Sequence, residues 1–172
     1  SITWDMTLLY PSDEAFYAEL DKLKKEMKAF KEKYENKLGD LEVLDEAIRQ
    51  YEAIELAVYR ASHYAELPMT VDRLNPKVIE NATAFEAVSV SYAENMSFVM
   101  TELISLEEDF LNQFVAEKRP DLAYFVEKVI RQKKHTLSKD AEQVLSNLSS
   151  LPGFYQLYEV TKHEDMQFES FE

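Results

Sequence analysis

Glycine is almost missing from this chain: Gly39 and Gly153 are the two present in 172 residues, alongside five prolines. Glycine gives the backbone its positive φ values at no steric cost, and hairpin turns depend on it. No Asn-Gly or Asp-Gly pair occurs, and no internal stretch reads convincingly as a strand. A chain so short of turns must travel far between them. The expected fold is all-α, with long antiparallel helices in a bundle and shorter helices packed at one end.

Apolar spacing marks the helices. Tyr10-Pro11-Ser12-Asp13-Glu14 reads as a start, with Ser12 as N-cap and two acids in the first turn. Phe16, Leu20, Leu23, Met27, Phe30 and Tyr34 then recur at steps of four and three, one face of a long helix. Lys31, Lys33 and Lys37 crowd its end, Gly39 fits the C′ position, and Asp40 can cap the next helix. The second stripe is Leu41, Leu44, Ile48, Tyr51, Ile54, Val58, Ala61 and Ala65, breaking near Leu67-Pro68. Asn75-Pro76 opens a third helix, with Val78, Ala82, Phe85, Val88 or Ser89, Tyr92, Met96, Val99 and Leu103 inward. Ser105-Leu106-Glu107-Glu108 has capping-box spacing and predicts a short fourth helix. Pro120 opens a fifth, with Leu122, Phe125, Val126, Val129 and Ile130 inward. Ser138 caps a sixth, Pro152-Gly153 breaks it, and a last helical stretch runs from about Phe154 toward His163. The final residues, Met166 to Glu172, could form a short extended piece. No linker or fixed-period repeat divides the chain, so residues 1–172 read as a single helical domain.

Charge narrows the partners. Nineteen Lys and Arg face 33 Asp and Glu, a net of −14. Such a surface repels nucleic-acid phosphates and anionic membranes. No apolar run approaches the ~18 residues that a membrane span requires. The first residues lack the basic-then-apolar order of a signal peptide, and with no cysteine for a disulfide the expected compartment is cytoplasmic. The absence of an initiator Met fits a piece of a longer chain.

Catalytic constellations are scarce. His163-Glu164-Asp165-Met166-Gln167 starts like a zinc-protease H-E-x-x-H helix but ends in Gln167, whose amide is a poor zinc ligand. No histidine follows a glutamate by three residues, so the di-iron Glu-x-x-His pattern is absent. His63, beside Tyr64, reads as a packed or surface residue. Carboxylate neighbours such as Asp45-Glu46, Glu107-Glu108 and Glu164-Asp165 read as solvated faces in so acidic a chain. There is no cysteine nucleophile and no G-x-S-x-G elbow, and Ser89, Ser91 and Ser97 have no histidine at helical spacing. Ten Tyr and ten Phe could line a peptide groove, but at helical spacing they read first as core. By its own residues this chain is not an enzyme: its catalytic and metal-ligand sets are empty.

Three stretches carry a family resemblance. Trp4-Asp5-Met6-Thr7-Leu8-Leu9-Tyr10-Pro11-Ser12 resembles the W-D-L-x-x-L-Y-P-S opening of oligoendopeptidase F-like zinc metallopeptidases, relatives of thimet oligopeptidase. Arg131-Gln132-Lys133-Lys134-His135-Thr136-Leu137-Ser138 resembles that family's R-x-x-P-H-T-L-S segment, with Lys134 in place of proline. Asp165-Met166-Gln167-Phe168 resembles the D-[LM]-x-F with which the family leaves its helical region, although Glu169 stands where a proline often follows. Order and separation agree across all three.

The resemblance covers essentially the whole chain but only the N-terminal part of the family's protein. It implies a non-catalytic helical lobe that shapes a channel admitting oligopeptides and excluding folded proteins. The zinc-binding H-E-x-x-H, the cofactor and the catalytic lobe would lie further on, and that lobe would be the main partner, with oligopeptide substrate in the longer protein. The likeness of residues 163–167 to a zinc helix is then chance, and these residues sit at a structural junction. His135, Thr136, Leu137 and Ser138 read as structural, with Ser138 capping a helix and His135 near the end of the preceding one. A lobe without its partner would expose a packing face and could form a homodimer through it. The alternative reading is a stand-alone acidic helical protein-interaction module.

Overall fold

A computed structural model of the chain describes residues 5–136, the last three by backbone alone. Their contacts divide them into two compact units. One runs to Glu35 and adds Ala53–Phe98; the other comprises Asn36–Glu52 and the residues from Val99 onward. Among the described residues all regular structure is helical.

In the first unit, a 3-10 turn at Met6–Leu8 leads into α1, Asp13–Tyr34. Ser12 is the N-cap, as its sequence position predicts, and its hydroxyl accepts the Ala15 N–H at 3.2 Å. The six-residue stripe read from the sequence is the buried face of α1, with Phe16, Leu23, Met27 and Phe30 fully enclosed. Truncating either phenylalanine to alanine would cost about 3–5 kcal/mol. The second half of α2 (Leu41–Glu66) supplies Ile54, Ala61, Tyr64 and Ala65, and α3 (Pro76–Met96) supplies Phe85, Val88 and Met96. Bonds from Asp13 to Tyr64 and from Glu19 to Arg60 make α1 and α2 antiparallel. Bonds from Tyr17 to Asn81 and from Lys31 to the Glu94 carbonyl make α1 and α3 parallel. The three form an up-down-up arrangement.

In the second unit, Leu44, Ala47, Ile48 and Tyr51 of α2, Val99 and Leu103 of α4 (Phe98–Ser105) and Leu111 and Phe114 of α5 (Glu108–Glu117) are buried. A 3-10 turn at Pro120–Leu122 then feeds α6, Ala123–Thr136. Leu122, Phe125, Val126, Val129 and Ile130 are buried, as expected.

Three local expectations are corrected. Gly39 is not the left-handed residue after α1; Asn36 is, at φ 64°. The helix ends at Tyr34, before its lysine run is finished, because the Glu102 carboxylate accepts the Asn36 N–H and, at 3.4 Å, the Leu38 N–H. The third helix does not run to Leu103 as one regular element: it is interrupted at Ser97, whose backbone stays helical at φ −61° and ψ −27°, and α4 follows at once. Two residues before it, the Asn95 amide donates to the Ser91 carbonyl at 2.8 Å. Ser105 is no N-cap either. It closes α4, donating to the Glu102 carbonyl at 2.6 Å, and α5 starts after Glu107 without a side-chain cap. Asp40 does cap α2, accepting from Glu42 and Val43, each at 3.0 Å. The helices predicted from Ser138 and Phe154, the extended end, and residues 163–167 lie outside the described residues.

Candidate functional site

The start of α1 gathers most of the first unit's polar chemistry. Asp5 caps the preceding 3-10 turn, accepting from the Thr7 N–H at 3.1 Å and the Thr7 hydroxyl at 2.5 Å. Those bonds hold its carboxyl below the usual range. Five residues on, Tyr10 is buried. Its ring meets Phe16 edge-on at 5.6 Å and Tyr64 at 5.2 Å, and the Arg60 guanidinium lies over it at 4.7 Å. Pro11 is exposed, and Ser12 turns the chain into α1. The motif from Asp5 to Ser12 thus has a plain physical content: a capped turn, an aromatic plug and a helix start.

Asp13 is the centre that sequence reading missed. Its Oδ1 accepts the Tyr64 hydroxyl and the Asn81 amide, both at 2.9 Å, and its Oδ2 lies 3.6 Å from Lys77 Nζ. Tyr17 donates to Asn81 Oδ1 at 2.6 Å, so Asn81 both gives and receives. Burial pushes the Asp13 carboxyl up, but the bonds from Asn81 and Tyr64 and the Lys77 charge outweigh it, and the carboxyl sits below its ordinary value. Tyr64 moves the other way, to about 12, through burial and the bond to Asp13. Lys77 is raised by its bonds to Glu80 and Tyr17. These groups are held in fixed protonation states, as a structural network requires. A base poised near neutrality would look different.

A second polar centre lies in the other unit. Arg119, 6% exposed, forks onto both oxygens of Glu52, at 2.7 and 3.1 Å, and onto Asp121. The Asp121 bond, then Glu52, raises the guanidinium against its burial, and Arg119 in turn lowers Asp121. Both centres pair charged groups that are far apart in the sequence, Asp13 with Lys77 and Glu52 with Arg119.

Two grooves open to solvent. In the first unit, Glu66, Met69, Ile79, Ala82, Thr83, Phe85, Glu86 and Ser89 line about 320 Å³. In the second, residues of α5 and α6, including Asn112, Val115, Val126 and Ile130, line about 330 Å³. Among the described residues, no three His, Cys, Asp or Glu side chains converge as metal ligands. The zinc implied by resemblance therefore finds no fitting donor set in them. No described helix is long and apolar enough to cross a membrane.

His63 lies half-buried on α2, its Nδ1 donating to the Tyr59 carbonyl at 2.9 Å and its ring 4.0 Å from Tyr59, within the packed-or-surface reading of it. His135 and Thr136 end α6, so the second family-like segment begins as helix. Trp4, Leu137, Ser138, Asp165 and Phe168 lie outside the described residues.

Comparison with known proteins bears on what this architecture serves. The family described as Oligopeptidase F matches residues 102–168. An oligoendopeptidase F homolog of Borreliella burgdorferi is 24% identical over 96% of this chain, but over 28% of its own length. Oligopeptidase PepF of Bacillus subtilis is 27% identical over 98% of the chain and 26% of its own length. The chain matches the N-terminal region of the oligopeptidase F family. Group B oligopeptidase PepB of Streptococcus agalactiae gives the same picture, 27% identical over 96% of the chain and 28% of its own length. The chain thus spans about a quarter of the relatives it matches. No solved structure matches it.

The family match covers the end of α4, α5, Arg119, Asp121 and α6, whereas Glu52 and the Asp13 network precede it. Asn81 could have been found from sequence, since it shares the helical face of Phe85 and Val88 and a polar residue there needs a partner. Asp13, Lys77 and Arg119 carry no local signal. Besides the neighbours Glu80 and Asp121, the partners that tie them to other helices lie 51 to 68 residues away.

Proposed function

We propose that this chain is the non-catalytic helical lobe of an oligoendopeptidase F-like metalloendopeptidase, shaping the channel through which oligopeptides reach a catalytic region elsewhere in the polypeptide. One observation carries the reading: similarity runs the length of this chain yet takes up about a quarter of each relative. Chemistry would then reside in the remainder, with zinc as its metal. The lobe's own polar residues serve to fix helices, as the closed networks at Asp13 and Arg119 do.

The test compares hydrolysis of a quenched fluorescent oligopeptide by the 172-residue chain and by a longer gene product, each with added zinc. Turnover by the longer protein alone, abolished by a chelator, is the expected result. Chelator-sensitive turnover by the 172 residues would overturn the reading.

A further inference from the structure

The outward side of α3 is the least explained surface of the first unit. A helix with one buried face normally shows charge on the other. Here Lys77, Glu80, Glu86 and Glu94 are the only charged residues of 21. Ile79, Thr83, Glu86 and Val90 follow one another at steps of four, three and four along a face away from Phe85 and Val88. Ile79 and Val90 are 45% and 55% exposed. Beside them runs the 320 Å³ groove, floored by Met69, Ala82 and the edge of Phe85. Its charged lining residues are Glu66 and Glu86, with no lysine or arginine among them.

We propose that this groove docks a basic amphipathic peptide segment, with apolar residues against Ile79, Ala82 and Phe85 and a Lys or Arg near each of Glu66 and Glu86. The face from Ile79 to Val90 is about 16 Å long, three turns of a partner helix. Charge complementarity selects the sign. Two acids flank an apolar floor in a chain of net −14, so a cationic segment is steered in and an acidic one repelled. A second copy of this chain fits less well, because a two-fold pairing through this groove would bring four glutamates to one seam with no cation from either groove. The docking site stands on the groove and does not depend on the peptidase reading.

Three labelled peptides of about 15 residues test it by fluorescence anisotropy: Leu/Lys at helical spacing, Leu/Glu at the same positions, and Ser/Lys. The 172-residue protein is expected to prefer Leu/Lys over both others. Ile79→Glu should weaken that binding about tenfold, and the double variant Glu66→Lys, Glu86→Lys should reverse the preference toward Leu/Glu. Glu32→Lys, a charge reversal on α1, should leave binding unchanged. Far-UV circular dichroism confirms that each variant is folded. Equal binding of Leu/Lys and Ser/Lys would mean diffuse attraction to an acidic protein and overturn the proposal. So would an Ile79→Glu protein that binds as wild type. A concentration-dependent dimer in sedimentation that Ile79→Glu dissolves and Leu/Lys cannot displace would assign the face to a second copy and overturn it as well.

Discussion

Asp13 does two jobs with one carboxylate. As an acid in the first turn of α1 it favours the helix dipole, and as an acceptor it draws Tyr64 of α2 and Asn81 of α3 onto that turn. Asp13→Ala removes both acceptor roles and leaves a buried amide and a phenol without their partner. The expected cost is about 1.5–3 kcal/mol, the range for hydrogen bonds to a charged group. The pH dependence comes from the direction of the shift. The folded carboxyl titrates below its ordinary value of 3.8, so its stabilisation is complete above 3.8 and is lost as pH falls through the depressed value. Tyr64, raised to about 12, stays protonated throughout and remains the donor. Urea unfolding should therefore show a wide gap between wild type and Asp13→Ala at pH 7 that narrows once pH drops below 3.8. A gap of constant size down to the acid limit would mean that the loss comes from packing, not from the carboxylate.

At the level of elements, the junction between α1 and α2 is the place to test what ends a helix. Asn36 takes φ 64° there, a conformation costing most L-residues about 1–2 kcal/mol and glycine nothing. Asn36→Gly should stay within about 0.5 kcal/mol of wild type, because relief of the left-handed strain offsets a more flexible unfolded chain. Asn36→Val should lose about 1–2 kcal/mol in the same unfolding assay. A valine variant as stable as wild type would show that the Glu102 contact, not the backbone preference of Asn36, sets the turn. Much of the fold was legible. The α1 stripe, the Ser12, Asp40 and Asn75 caps and the buried face of α6 all follow from spacing and local chemistry. What was not legible depends on residues far apart in sequence. Gly39 was the better local candidate for the turn, and the Glu102 carboxylate that accepts the Asn36 N–H comes from 66 residues further on. At the end of α4, Ser105 bonds back to its own helix, a choice that capping patterns do not distinguish. Of the candidate site, the motif from Asp5 to Ser12 was readable, while Asp13 drew notice only as a first-turn acid.

For the molecule as a whole, charge is the dominant unbalanced term. If all 19 Lys and Arg were paired, 14 of the 33 acids would still lack a cation. Many ion pairs are exposed helix-surface pairs three or four residues apart, such as Lys24–Asp21 and Arg131–Glu127, and such pairs contribute little. Added salt weakens those pairs and the net repulsion together, so the sign of its effect tells which is larger. Raising NaCl from about 10 mM to 150 mM shortens the screening length from about 30 Å to 8 Å. Close pairs at 3–4 Å keep most of their attraction over that change, while repulsion between acids further apart is largely removed. The thermal midpoint should therefore rise, by about 2–4 °C for each kcal/mol regained at this chain length. Cations bound at the groove of Glu66 and Glu86 would add to the rise, so the Glu66→Lys, Glu86→Lys variant should gain less from salt than wild type does. A midpoint that falls with salt would place the stability of this acidic chain in its specific pairs, with Asp13–Lys77 and Arg119–Glu52 the first to examine.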